Sequence, residues 1–165
     1  MTPNRTANET VVEAYVDVWN ERDYSRIPDL VSDSFVLYDP AVPEDVGTGP
    51  VGEARGPTGL VSFMNRLERG FPDFQFTVAD LVATDDLVMD EVTFTGTHEG
   101  VFNGVPPTYR SVEIQMMAKF HIEEGKLQEH HVYFDQREFM DQLGLTFPTV
   151  IAQLPTLVRG KVSLL

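Results

Sequence analysis

Between residues 6 and 22 the apolar positions return every three or four residues. Val12, Tyr15, Val16 and Trp19 stand at i, i+3, i+4 and i+7, one stripe of an amphipathic helix. A second short helix is predicted over 23–33, with Ile27, Leu30 and Val31 inward and Pro28 in its first turn, where no amide hydrogen is needed. SFVLYDP (34–40) reads as a short strand closed by a proline turn. Residues 40–56 hold four glycines and three prolines and predict a loop long enough to form a lid or pocket rim. A third helix starts near Pro57, carries Leu60, Phe63, Met64 and Leu67 on one face, and stops at GFPD.

Beyond that point the period falls from 3.6 to 2. The segments 74–84, 87–98, 111–122 and 126–135 alternate as four strands. TDD and EEGK between them are tight turns, and GVFNGVPPTY is a longer connection. Residues 136–145 begin helical. Past Gly144 comes an apolar tail, with Phe147, Val150, Ile151, Leu154, Leu157, Val158 and Leu164, which Pro148 and Pro155 should break into short pieces. The natural division is a domain over 1–145 and an extension over 146–165. Helices followed by a run of antiparallel strands predict an α+β fold. A strongly curved sheet wrapped around the three helices would enclose a conical cavity, with Gly96 placed to bend it.

The chain has 165 residues, 42% of them hydrophobic, which suits a single core. No apolar run is long enough to span a bilayer, and the first residues lack a basic region followed by an apolar core. The expected compartment is the cytoplasm. With no cysteine, disulfides, thiolate metal sites and cysteine nucleophiles are excluded. Acidic residues number 26 against 12 basic, a net charge of −14, which repels nucleic acid and anionic membranes. Such a surface fits a protein kept soluble in high salt, or an ordinary acidic protein.

The order of elements resembles the SnoaL-like polyketide cyclases, a family of the NTF2-like cone-shaped α+β superfamily. So do GTHEGVFNGVPPT (96–108), IEEGKLQEHHVYFDQ (122–136) and FMDQLGL (139–145). WNERDYSRIPDLVSDSFVLYDP (19–40) is similar to the family's opening, a helix ending in Asn and then a short strand. The likeness runs from about Asn8 to Leu145. It implies an intramolecular aldol ring closure without metal or cofactor, with a pocket carboxylate as acid and base. A proton next to a carbonyl must be removed and the enolate oxygen stabilised. Two residues depart from the family pattern. Ala118 stands where the resemblance places the aspartate, and Tyr109 where glycine usually follows Pro-Pro-Thr.

A two-residue turn at Glu124-Gly125 pairs Glu123 with Lys126 and Ile122 with Leu127. An unbroken ladder then sets Phe120 opposite Glu129, Ala118 opposite His131 and Met116 opposite Tyr133, all on the concave face. On this register His131 is the candidate general base in place of the missing carboxylate, assisted by Asp135 or Tyr133. The alternative is that His131 is an inert packing residue. His98 shares parity with Val92, Phe94 and Gly96 and points inward at the rim, as a substrate contact or as a strand-end residue tied to the backbone. Tyr15, Trp19, Tyr38, Met116, Tyr133 and Phe120 are the candidate substrate-binding residues, with the plainer reading that Tyr15 and Trp19 are core. Consecutive His130 and His131 fall on opposite faces, so no metal site is expected.

Three functions stand on this fold: a cofactor-free cyclase, isomerase or hydrolase, a non-catalytic module for a small hydrophobic molecule, or an association domain. The last would form a homodimer through an outer face carrying Met117, Val132 and Phe134. On the salt-adapted reading the protein is more stable in molar salt, where screening shortens to about 3 Å, than in dilute buffer. Urea unfolding at both salt levels checks this, and equal midpoints would argue against a salt-adapted origin.

Overall fold

The computed structural model describes residues 3–44 and 49–163, with side chains from residue 6 onward. Residues 45–48 of the expected rim loop and Leu164 of the tail lie outside the described residues.

Helix α1 spans Pro3–Glu21 and buries Val12, Tyr15, Val18 and Trp19. The second predicted helix is shorter than its pattern. A 3-10 turn at Tyr24–Arg26 leads into α2, Ile27–Leu30, and the chain becomes extended at Val31. That valine opens β1, Val31–Tyr38, where its branched side chain is fully buried. The loop that follows contains a short strand β2, Glu53–Arg55, and runs into α3, Gly56–Gly70. Four long strands come next: β3, Gln75–Ala83; β4, Leu87–Thr97; β5, Ser111–Glu123; and β6, Lys126–Phe134. Helices α4, Gln136–Gln142, and α5, Thr149–Val162, complete the chain.

The six strands form one sheet in the order β2-β1-β6-β5-β4-β3. All neighbours are antiparallel except β1 with β6, which are parallel. Alternation does what it predicts in β4, where Val88, Asp90, Val92, Phe94 and Gly96 are buried and their neighbours are not. Gly96 is not a bulge: it continues the ladder opposite Val112 without a shift in register. A Cβ there would meet the Phe71 ring at 3.3 Å, so this glycine lets a ring approach the sheet. The breaks in register lie in β3 between Val78 and Asp80, and in β6 at Gln128.

Asn20 ties α1 to the sheet. Its side chain donates to the Phe76 carbonyl and accepts from the Phe76 amide, each at 2.8 Å. The amide group thus replaces a strand partner on the edge strand β3 and covers part of an exposed ladder. The long connection after β4 folds back on the end of α3. The amides of Glu99 and Gly100 both donate to the Gly70 carbonyl, at 3.0 and 3.1 Å. A side chain on Gly100 would lie 1.8 Å from the Arg69 carbonyl oxygen, so only glycine permits this approach.

The tail is one helix, contrary to the expected break. Both Pro155 and Ile151, whose carbonyl loses its helical partner, are exposed, so water can satisfy the oxygen. The helix is fastened by Gln153, buried, whose Nε2 donates to the Leu143 carbonyl at 3.1 Å. Among the described residues no helix is long and apolar enough to cross a membrane.

Tyr109 has φ +58, and its side chain is 66% exposed. A left-handed conformation costs a non-glycine residue about 1–2 kcal/mol, and little packing would be lost by removing this ring. Tyr109→Gly should therefore raise the unfolding free energy by about 1 kcal/mol in urea titration.

Candidate active site

The inner face of β4, β5 and β6 and helices α1 and α3 line an almost wholly apolar pocket of about 80 Å³. That is several times the space one buried water needs. Asp90, Val92 and Phe94 come from β4, Met116, Ala118 and Phe120 from β5, His130, Val132 and Phe134 from β6, and Tyr15 and Trp19 from α1. Tyr15, Trp19, Met116 and Phe120 thus reach the cavity on which the sequence placed them.

The β6 expectations are reversed. The turn is as predicted, with Glu123 paired to Lys126 and Ile122 to Leu127. Gln128 is then an extra residue, and the ladder resumes with His121 opposite Glu129. Ala118 therefore faces Val132 rather than His131, and Phe120 faces His130. A single bulged residue exchanges the two faces of everything after it. His131 lies on the outer side, stacked on Tyr38 with ring centres 4.3 Å apart and bonded through Nε2 to Glu129 at 2.9 Å. Tyr133 is 57% exposed beside Met117. Asp135 caps α4, its Oδ1 accepting from the amides of Arg137 and Glu138 at 2.9 and 3.1 Å. None of His131, Tyr133, Asp135 and Tyr38 lines the pocket. The outer face also loses Val132 and Phe134 as an apolar association surface.

The imidazole that enters the pocket is His130. It stacks on Phe120 at 4.3 Å, and its Nδ1 shares a hydrogen bond with the Tyr15 hydroxyl at 3.2 Å. Burial, with His131 nearby, pushes its pKa down to about 3, so the ring is neutral and weakly basic. Burial raises the Tyr15 hydroxyl well above its ordinary value and keeps it protonated. Two carboxyls share the pocket, and burial pushes each up to about 6. Asp39 directs Oδ1 to the Ala41 amide at 2.8 Å, closing the turn after β1. Asp90 stands in the middle of β4, its charge eased only by the Ala118 backbone amide, and its buried Oδ1 has no hydrogen-bond partner among the described residues.

His98 is fully buried, stacked on Phe71 at 5.1 Å. The Thr108 amide donates to Nδ1 at 3.2 Å, which leaves the hydrogen of the neutral ring on Nε2. Nε2 makes no hydrogen bond among the described residues. Burial, partly offset by the Gly100 backbone, lowers this pKa to about 4. His98 lines a second cavity of about 140 Å³, which shares Ala41, Phe102, Phe134 and Phe139 with the first. Among the described residues no three His, Asp or Glu side chains are grouped to hold a metal ion.

The sequence from residue 9 to residue 143 matches the profile of the SnoaL-like polyketide cyclases. The chain belongs to this family. Its fold is shared with a candidate SnoaL-like polyketide cyclase from Jannaschia sp. CCS1, at 21% identity and TM-score 0.75, over 87% of this chain and 95% of that one. It is also similar to IdmH, a candidate polyketide cyclase from Streptomyces antibioticus, at 29% identity and TM-score 0.70, covering 83% and 98%. AclR, a candidate hydroxylase from Streptomyces galilaeus, is similar at 27% identity and TM-score 0.69, covering 86% and 98%. No curated protein matches the sequence at a significant level.

Within this SnoaL-like frame, sequence reasoning passed over Asp90. The signal was present: Asp90 shares parity with Val88, Val92 and Phe94, so it is an acid on the buried face of an alternating strand. His130 carried no such signal, since QEHH has no alternation to reveal a bulge.

Burial of an ionised Asp90 has a measurable consequence. Its carboxyl binds a proton more tightly in the native state than when unfolded, so its contribution to stability falls as pH rises from about 4 through about 6. Asp90→Asn should raise the unfolding free energy at pH 8 by up to about 3 kcal/mol, with the gain fading below about pH 5. Urea unfolding of both proteins at the two pH values checks it.

Proposed function

We propose that this chain is a cofactor-free enzyme that binds a small hydrophobic, polyketide-like molecule and moves a proton at a carbon beside a carbonyl. One observation carries the reading: an almost wholly apolar pocket holds buried carboxyls pushed up to about 6. A group with a pKa near the working pH is present both as base and as conjugate acid, which is what proton abstraction and return require. The Tyr15 hydroxyl lines the same pocket and supplies a donor suited to a developing enolate oxygen, while the buried His98 Nε2–H belongs to the adjoining second cavity. Kinship with IdmH, described as a candidate polyketide cyclase, supports the substrate class.

The bicyclic ketone 2-tetralone tests this, being apolar and carrying acidic hydrogens next to its carbonyl. It should quench the single tryptophan, Trp19, which lines the pocket. In D2O the protein should accelerate deuterium uptake at those carbons, followed by proton NMR, about 100-fold over buffer. Ala118→Leu, which fills the pocket, should weaken the quench about tenfold. Quenching without exchange would leave a binding module.

A further inference from the structure

Four titratable side chains line the main pocket, and they are not equivalent. Tyr15 and His130 are hydrogen-bonded to each other. Asp39 is held by the Ala41 amide, in a turn whose backbone is also bonded to Gly52 and Val42. Of the four, Asp90 alone has a buried oxygen, Oδ1, with no hydrogen-bond partner among the described residues, and it stands on the middle of a long strand between two others. Across the two ladders it faces Ala118 on β5 and Leu81 on β3, and of these Ala118 lines the pocket with it. Opposed side chains in an antiparallel pair approach within about 5 Å, so any residue longer than alanine at 118 would cover the carboxyl. A buried acid with one oxygen left without a partner is expensive to keep unless something else completes it.

We infer that Asp90 is the group that takes and returns the proton, and that the Ala118 methyl forms the floor against which the reacting carbon lies. This rests on the acid–base reading of the pocket and says which side chain performs it. The carboxylate of Asp90 takes a proton from the carbon beside the carbonyl. The C–H electron pair moves into the enolate, whose charge rests on the carbonyl oxygen, and the carboxyl then returns a proton to carbon. The carboxylate is thus carried by β4, one step across the ladder from the β5 position where the family resemblance places an aspartate. Burial supports the assignment by pushing Asp90 up to about 6, while His130 and His98, at about 3 and 4, are too weakly basic to compete near neutral pH.

The test is deuterium uptake by 2-tetralone, with Trp19 quenching as the measure of binding. Asp90→Asn should slow exchange at least about 100-fold while quenching persists. It should also remove the rise in rate with pH, which in the native protein has its midpoint near 6. Moving the carboxylate in Asp90→Ala/Ala118→Asp should return the rate to within about tenfold of the native protein, which a merely structural role for Asp90 would not do. Exchange in Asp90→Asn within about threefold of native, or its loss only in Asp39→Asn, would overturn the assignment and leave the acid–base reading intact. A native protein that neither binds nor exchanges 2-tetralone would overturn both. Should Asp90→Asn fail to fold, a carbon-13 carboxyl titration of the native protein decides. The Asp90 resonance must shift on binding 2-tetralone, and an unchanged resonance would overturn the assignment.

Discussion

One extra residue, Gln128, governs what the pocket contains. With an unbroken ladder, β6 would direct Glu129, His131 and Tyr133 inward and leave Val132 and Phe134 in water. The bulge puts His130, Val132 and Phe134 inside instead. The energies are unequal. Burying a valine or phenylalanine is worth about 1.5–3 kcal/mol each, and leaving Glu129 outside avoids a buried charge. Leaving one residue of the ladder unpaired costs about 1 kcal/mol. Against the same stretch of β6 the parallel neighbour β1 has a shift of its own, with Val31 opposite Leu127 and Val36 opposite Glu129, so the extra residues there lie in β1.

The dryness that follows sets the chemistry. It raises the carboxyls of Asp39 and Asp90 and lowers the imidazoles of His98 and His130, so the native state favours the neutral form of all four. The signs oppose one another. Between about pH 4 and pH 6 the folded protein holds extra protons on the carboxyls and lacks them on the imidazoles, so the two contributions to pH dependence largely cancel. Pocket and stability are thus linked through one cause, the removal of water from side chains that would otherwise carry charge.

The stretch from Gly96 to Tyr109 shows how a local motif becomes a wall of the site. Gly100 lets the chain lie against the carbonyl end of α3, which draws His98 into the interior and onto Phe71. Asn103 and Gly104, both with positive φ, then reverse the chain, and Asn103 donates to the Ala41 carbonyl at 2.7 Å. The turn after β1 and the connection after β4 are thereby joined beside the second cavity. Tyr109 takes the left-handed conformation where the family resemblance leads one to expect glycine, and it keeps the pairing of its amide with the His98 carbonyl at 2.9 Å.

Element order, the α+β class, the apolar stripe of α1 and the faces of β4 and β5 were all legible in the chain. Each is written in a local period of apolar residues, and every segment carries its own. Asp90 was legible on the same terms, as an acid in the inward phase of β4. The facing of His130 and His131 was not, because register is a relation between two strands and is settled by which face buries more. The continuity of α5 through Pro155 is likewise a tertiary matter, since it depends on the affected carbonyl meeting water. The unpartnered Oδ1 of Asp90 among the described residues is another, for only the folded chain sets an alanine beside a carboxyl and removes the solvent from both.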